Sequence, residues 1–399
     1  MDIKDEELNN DNNTSVILEN SEETVETVEA TETQVAEVQD STGSIEEEKK
    51  PNRKKHIIWV LIALLATVVT FVVIFNFNDF NATINELTHV DGVNMWYAVI
   101  CLFIYFLTYP LSTCLIAKRS KCKASFMDSY FIGATEHFFN GITPFSTGGQ
   151  PIQVYLYTKR KVKPSESTGI IATNFIAFLV ATNIYAIVSL FFYGQFSANF
   201  TDATRWMIIL GFAMNLFTLA FIILICTCSF VRKWLVSILR LICKWKFIGK
   251  YVEKSIPAFE EYCANTQIAA KMILKSPLTF IGAILLRIIS LAFYYVMPFF
   301  ILRALGVDVS WNVLPLIMLA SSFAITTMVW VPTPGGTGGI EFAFTTIFTI
   351  TAFGAISSSV GVTGMVLWRF LTYYVLMILS FITYILFNIA GKRKVNKDA

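Results

Sequence analysis

The chain has 399 residues, 55% of them hydrophobic and only 15% charged, against about 25% charged in soluble domains. Together with 35 phenylalanines, this excludes an ordinary water-soluble enzyme and points to an all-α integral membrane protein. The net charge of +2 hides a division: residues 1–50 hold 16 acids and three bases, and the remainder 13 acids and 28 bases.

In chain order, residues 1–52 come first. They contain few large apolar residues and no aromatic one, so they cannot bury enough surface to offset ordering entropy. The reading is a disordered acidic cytoplasmic tail. It is not a signal peptide, because the first apolar run begins only at Ile57. A membrane helix needs about 20 mainly apolar residues. Full spans are expected at 57–75, 95–117, 168–193, 206–228, 277–304 and 363–389, inside one polytopic domain over 53–392. Two further apolar stretches, 124–158 and 313–353, are interrupted. Basic clusters fall at 53–55, 118–123, 159–163, 232–254 and 392–397, whereas 76–94 and 305–312 contain no lysine or arginine. Cytoplasmic loops collect basic residues, so both termini, including the basic stretch 393–399, are expected in the cytoplasm. The connector 231–275 interleaves Trp234, Trp245 and Phe247 with bases. It reads as a helix on the inner leaflet drawn to anionic lipid at 231–254, or as a solvated linker.

The orientation gives the interrupted stretches an address. Segment 124–158 has cytoplasmic flanks on both sides and 313–353 has outside flanks, so each enters and leaves through one face. They form either re-entrant hairpins or short crossing pairs. The first contains "TPFSTGG" at 143–149 and the second "TPGGTGG" at 333–339. Similar motifs in segments of opposite orientation predict an inverted repeat with discontinuous helices meeting near the midplane. Proline breaks each helix and glycine permits turns closed to other residues. Freed N–H groups at a helix start favour anions, phosphate above all. The candidate binding residues are therefore Thr143, Pro144, Ser146, Thr147, Gly148, Gly149 and Gln150, with Thr333, Pro334, Gly335, Gly336, Thr337, Gly338 and Gly339. The bland alternative is a pair of hinges whose threonines satisfy freed backbone groups.

Ionisable residues inside a membrane are costly and mark pathways by default. Glu136 and His137 precede the first motif, Glu341 follows the second, and Arg287 and Arg369 lie within spans. The arginines could grip a lipid phosphate bidentately or pair with Glu136 and Glu341. His137 reads as a proton relay or simply as a hydrogen-bonded histidine. Seven cysteines, including Cys226 and Cys228 in CxC, show no zinc spacing, so no metal and no disulfide are expected. No lysine follows the glycines and no GxSxG occurs. No catalytic residue, cofactor or nucleic-acid partner is expected.

The segments "TPFSTGGQPIQVYLYTKRKVKPSESTGIIAT", "VPTPGGTGGIEFAFTTIF" and "GMVLWRFLTYY" together resemble the lysylphosphatidylglycerol synthase transmembrane region. This flippase-like domain family also supplies the N-terminal part of bifunctional multiple peptide resistance factors. The resemblance covers roughly 57–390. "PTPGGTGGIE" at 332–341 looks like the family's PxPGGxGxxE signature, residues 143–151 match its TPxxxGGxP segment, and Arg369 matches the arginine of its last helix. The resemblance implies a bacterial plasma-membrane bundle with two re-entrant regions that moves an anionic or aminoacylated phospholipid, such as lysyl-phosphatidylglycerol. That activity exposes the lipid on the outer leaflet and supports resistance to cationic antimicrobial peptides. In full-length relatives a cytosolic domain transfers lysine to the lipid. This chain reaches Ala399 just after its last span and is expected to lack that domain, so the label phosphatidylglycerol lysyltransferase would describe chemistry outside it. The other readings are an ion-coupled solute transporter using Glu136, His137 and Glu341, a membrane partner of a separate aminoacyl-lipid synthase, and a component of lysyl transfer itself.

Overall fold

The computed structural model describes residues 86–143, 145–192, 194, 201–242, 249–328, 333–350 and 356–398. The expected tail over 1–52, the first expected span 57–75 and Pro144 lie outside the described residues. Among the described residues the chain is built of helices, with no β-sheet. Five helical runs are long and apolar enough to cross a membrane: Gly92–Ser120, Pro164–Phe191, Ile208–Thr227, Pro277–Ala304 and Ser359–Ala390. They correspond to five of the six spans read from the sequence.

The first run consists of α1 (Gly92–Thr108) and α2 (Leu111–Ser120). Asp91 starts it by accepting the Val93 and Asn94 N–H groups, which a helix cannot satisfy internally. Pro110, which has no N–H to donate, interrupts it. The first interrupted stretch follows as α3 (Phe126–Ala134), α4 (Glu136–Gly141) and α5 (Gly149–Thr158). A reciprocal Ser125–Asp128 capping box opens α3. Then come α6 (Pro164–Phe191), α7 (Asp202–Thr227), α8 (Ser229–Ile242), α9 (Gly249–Leu274) and α10 (Pro277–Ala304). The second interrupted stretch is α11 (Leu314–Met328) and α12 (Gly339–Ile350). The chain closes with α13 (Ser358–Arg369), a π-helical segment Phe370–Val375, and α14 (Leu376–Asp398).

Helix α10 is the pillar of the bundle. It packs along α1 and also against α2, α6, α11 and α13. The main core is aromatic and aliphatic, with Tyr105, Leu291, Tyr295, Phe323, Phe344 and Trp368 buried together. A second core, around Ile132, Leu156, Tyr157, Ile170 and Phe387, holds the first hairpin against α6 and α14. The outer faces remain apolar, with Trp206, Phe217 and Leu278 exposed, as a lipid-facing surface requires.

Each interrupted stretch is a helical hairpin. In the first, Arg160 past the end of α5 meets Asp128 near the start of α3 at 2.7 Å, so the two ends of the hairpin lie side by side. In the second, α11 packs against α12. At 1.5 Å rise per residue, α3 with α4 extends about 24 Å, α5 about 15 Å, α11 about 22 Å and α12 about 18 Å. Every arm is shorter than the hydrocarbon layer of about 30 Å.

Candidate functional site

The two hairpin tips contain the matched motifs, and their backbones agree at the same two places. At the third and fourth motif positions, Phe145 and Ser146 have φ of 56° and 52°, and Gly335 and Gly336 have φ of 60° and 65°. The fourth-position N–H donates to the first-position carbonyl in both: Ser146 to Thr143 at 3.2 Å, and Gly336 to Thr333 at 3.1 Å. This corrects one expectation for the first motif. Its left-handed turn falls on a phenylalanine and a serine, not on its glycines. Left-handed backbone costs a residue with a side chain roughly 1–2 kcal/mol. A Ser146→Gly variant is therefore expected to gain about 0.5–1 kcal/mol, after glycine's larger entropy loss is subtracted. Chemical unfolding in detergent micelles checks this, and an unchanged midpoint would count against strain at this tip.

Gly148 and Gly149 serve close approach instead. A Cβ on Gly148 would lie 2.5 Å from Thr143 Cγ2 and 2.7 Å from the Phe139 carbonyl oxygen. One on Gly149 would lie 2.7 Å from both Glu136 Cγ and Asn140 Oδ1. The tips diverge at the sixth motif position, where Gly338 has φ of 89° and Gly148 has φ of −75°.

The expectation of free N–H groups is corrected at Gly148, Gly149, Thr337 and Gly338. Gly148 donates to Thr143 Oγ1 at 2.8 Å, and Gly149 to Asn140 Oδ1 at 2.8 Å. In the second tip Thr337 donates to the Pro334 carbonyl at 3.2 Å, and Gly338 to Glu341 Oε2 at 2.7 Å. Backbone donors freed by a broken helix demand partners, and polar side chains three to nine residues away, or a nearby carbonyl, reach them first. The Thr333 and Thr337 hydroxyls are likewise used locally, on the carbonyls of Thr337 and Pro334.

The second tip is clamped by charge. Arg369 Nε meets Glu341 Oε1 at 2.6 Å, and Arg369 Nη2 donates to the Gly335 carbonyl at 3.2 Å. Both residues are 6% exposed. Of the two pairings open to Arg369, the internal one with Glu341 is present. The π-helical segment that follows carries Tyr373, whose ring lies 4.7 Å from the Arg369 guanidinium. The Tyr373 hydroxyl donates to the Gly141 carbonyl beside the first tip at 2.8 Å. Its ring also occupies the space where a Gly335 side chain would begin. One tyrosine thus touches both hairpins.

Arg287 is different. It is 1% exposed in the middle of α10, and among the described residues none of its three guanidinium nitrogens has a hydrogen-bond partner. The guanidinium stacks over Tyr109 at 3.8 Å and lies 5.7 Å from the Phe178 ring. His137 packs against Tyr109 at 4.4 Å and Tyr105 at 5.4 Å, with its buried Nε2 also lacking a partner among the described residues. Glu136, 5% exposed, accepts Gln150 Nε2 on Oε1 and Gln153 Nε2 on Oε2, each at 3.3 Å. Arg287 is the cation whose field reaches both Glu136 and His137. A contiguous aromatic wall joins this cluster to the Arg369 clamp: Tyr105 meets Tyr294 at 4.9 Å, and Tyr294 meets Trp368 at 6.0 Å.

The structure thus gathers Glu136, His137, Gln150 and Arg287 into one cluster, and Glu341, Arg369 and the Thr333–Gly339 turn into another. Sequence reasoning missed Gln153, Tyr109 and Tyr373. Gln153 shares a helix face with Gln150 at i, i+3, and a polar residue in an apolar helix is the signal that would have found it. Tyr109 stands directly before the helix-breaking Pro110.

Long apolar helices enclosing two broken hairpins with buried charged residues define an all-α membrane protein with a polar interior. The chain belongs to the family of the lysylphosphatidylglycerol synthase TM region, which matches it over residues 58–380. That membership ties it, as a membrane component, to lysylphosphatidylglycerol synthesis or flipping. No curated protein matches the chain.

Proposed function

We propose that the chain is a phospholipid translocase of the bacterial plasma membrane. It moves an anionic or aminoacylated phospholipid, such as lysyl-phosphatidylglycerol, between leaflets, and so supports resistance to cationic antimicrobial peptides. The observation that carries this reading is Arg287: a permanent cation, buried among helices, with no hydrogen-bond partner among the described residues. A guanidinium is charged at all working pH values and fits phosphate with two parallel donors. Leaving it unpaired is costly unless a ligand visits.

In this reading the two hairpins are re-entrant, enter from opposite faces and form an inverted repeat. Their equal turns at motif positions three and four favour that relation. Because the N–H groups of Ser146, Gly148, Gly149, Gly336, Thr337 and Gly338 already have partners, the hairpins shape and gate the path while Arg287 receives the phosphate. Arg369 and Glu341 hold the second tip. Both termini face the cytoplasm. Helix α8, with exposed Phe230, Lys233 and Trp234, lies on anionic inner-leaflet lipid. A separate aminoacyl-lipid synthase would supply an aminoacylated substrate.

The test is dithionite quenching in proteoliposomes with headgroup-labelled phosphatidylglycerol. The intact chain is expected to expose more than half the label, and Gly148→Leu, Gly338→Leu and Arg287→Ala are expected to return quenching to half. Quenching fixed at half with folded wild-type protein would sink the lipid path. Proton-linked uptake of a soluble solute, dependent on Glu136 and His137, would then take its place.

A further inference from the structure

The first hairpin breaks directly before Glu136 and His137. Helix α3 ends at Ala134 and α4 begins at Glu136. Thr135 between them has ψ of −12°, where a continuing α-helix has about −42°. In an unbroken helix the N–H groups of Glu136, His137 and Phe138 would donate to the carbonyls of Ile132, Gly133 and Ala134. Side chains stand at those carbonyls instead. The Ile132 carbonyl accepts the Thr135 hydroxyl at 2.8 Å and Gln153 Nε2 at 3.3 Å, and the Gly133 carbonyl accepts Gln153 Nε2 at 3.4 Å. The Ser380 hydroxyl, from α14, donates to the Ala134 carbonyl at 2.7 Å and accepts the Phe138 N–H at 2.9 Å. One oxygen of the last helix is thus inserted between the donor and the acceptor of a helical bond in the hairpin. A side chain inserted into the i→i−4 ladder bends a helix.

Ser380 and Gln153 are both buried, and each reaches the break from a different element. Past the break, the His137 ring lies 4.4 Å from Tyr109, on which the Arg287 guanidinium stacks at 3.8 Å. Gln153 Nε2 also meets Glu136 Oε2 at 3.3 Å. We propose that Ser380 and Gln153 are positioning residues for the Arg287 site: they hold the break in the first hairpin open, and so fix Glu136, His137 and the tip beyond them. The inference rests on the translocase reading only for what Arg287 receives.

The experiment first measures the hairpin tip with no lipid added. Spin labels on p-acetylphenylalanine at Phe145 and Leu285, both exposed, leave the native cysteines in place. Pulsed electron paramagnetic resonance on the full chain in micelles reads their separation. Ser380→Ala removes the inserted oxygen and is expected to shift the distance by about 5 Å, a bend of about 20° acting from Thr135 to Phe145. Gln153→Leu is expected to shift it in the same direction, and Ser380→Thr, which keeps the hydroxyl, to leave it as in the intact chain. The same chains are then titrated with phosphatidylglycerol and read by native mass spectrometry. Ser380→Ala and Gln153→Leu are expected to bind about tenfold or more weakly, with Ser380→Thr restoring most of the affinity. A lower unfolding midpoint with an unmoved tip would make Ser380 purely structural and overturn the positioning role. A moved tip with unchanged phosphatidylglycerol affinity would overturn it too. If Ser380→Ala fails to fold, Gln153→Leu decides by the same two readings. An intact chain that binds no phosphatidylglycerol overturns the translocase reading instead, and the tip distance then decides the positioning role alone.

Discussion

Arg369→Ala lowers the stability of the folded bundle by about 3–5 kcal/mol, the usual cost of stranding one partner of a buried ion pair. Glu341, 6% exposed, would be left buried without its 2.6 Å contact with Arg369. The Gly335 carbonyl would lose its donor at the same time. The pair does not owe its importance to Coulomb attraction alone, because desolvating two charges offsets most of that gain. A double change to apolar residues, Arg369→Met with Glu341→Leu, is expected to recover much of the stability. It should not recover function, because Glu341 Oε2 also holds the Gly338 N–H. Unfolding in mixed micelles, read as a double-mutant cycle, separates these effects. A single-variant loss below about 1 kcal/mol would mean that the pair is solvated and not buried as described.

Gly335→Ala carries the second large effect. The residue sits at φ of 60°, where a Cβ costs roughly 1–2 kcal/mol, and that Cβ would enter the Tyr373 ring. Overpacking adds typically 1–3 kcal/mol, so the expected loss is about 3 kcal/mol, together with loss of lipid movement. Tyr373→Leu in the same chain should relieve the overlap but not the backbone cost. Tyr373→Phe keeps the ring and removes only the hydrogen bond to the Gly141 carbonyl. It should cost about 1–3 kcal/mol, the desolvation of one buried acceptor. If Gly335→Ala melts within a degree of the intact protein, the second tip is not packed on Tyr373.

Much of the architecture was legible in the sequence because membrane helices announce themselves by length and apolarity. Five of the spans could be placed from hydropathy, and the two interrupted stretches from proline and glycine inside apolar runs. Glu341 and Arg369 could be flagged because charge in such a run has few physical excuses. Their actual pairing could not, since it depends on how α13 lies against α12. The left-handed turn at Phe145 and Ser146 was equally hidden. Local chemistry argues against positive φ at those two residues, and only the surrounding bonds from Thr143 impose it. The fate of the tip N–H groups was misread for a related reason. Spacing shows which donors a broken helix frees, but not whether Asn140, Thr143 and Glu341 fold back to take them.

Tyr373 gives the two hairpins a common thermodynamic fate. Its hydroxyl holds the backbone beside one tip and its ring fills the turn of the other. Anything that draws the first tip away from Tyr373 changes the free energy of the second tip's packing. By linkage, displacing the second changes the first by the same amount. A mutation at Gly141 can therefore be felt at Gly335, and one at Gly335 at Gly141, without either residue touching the other.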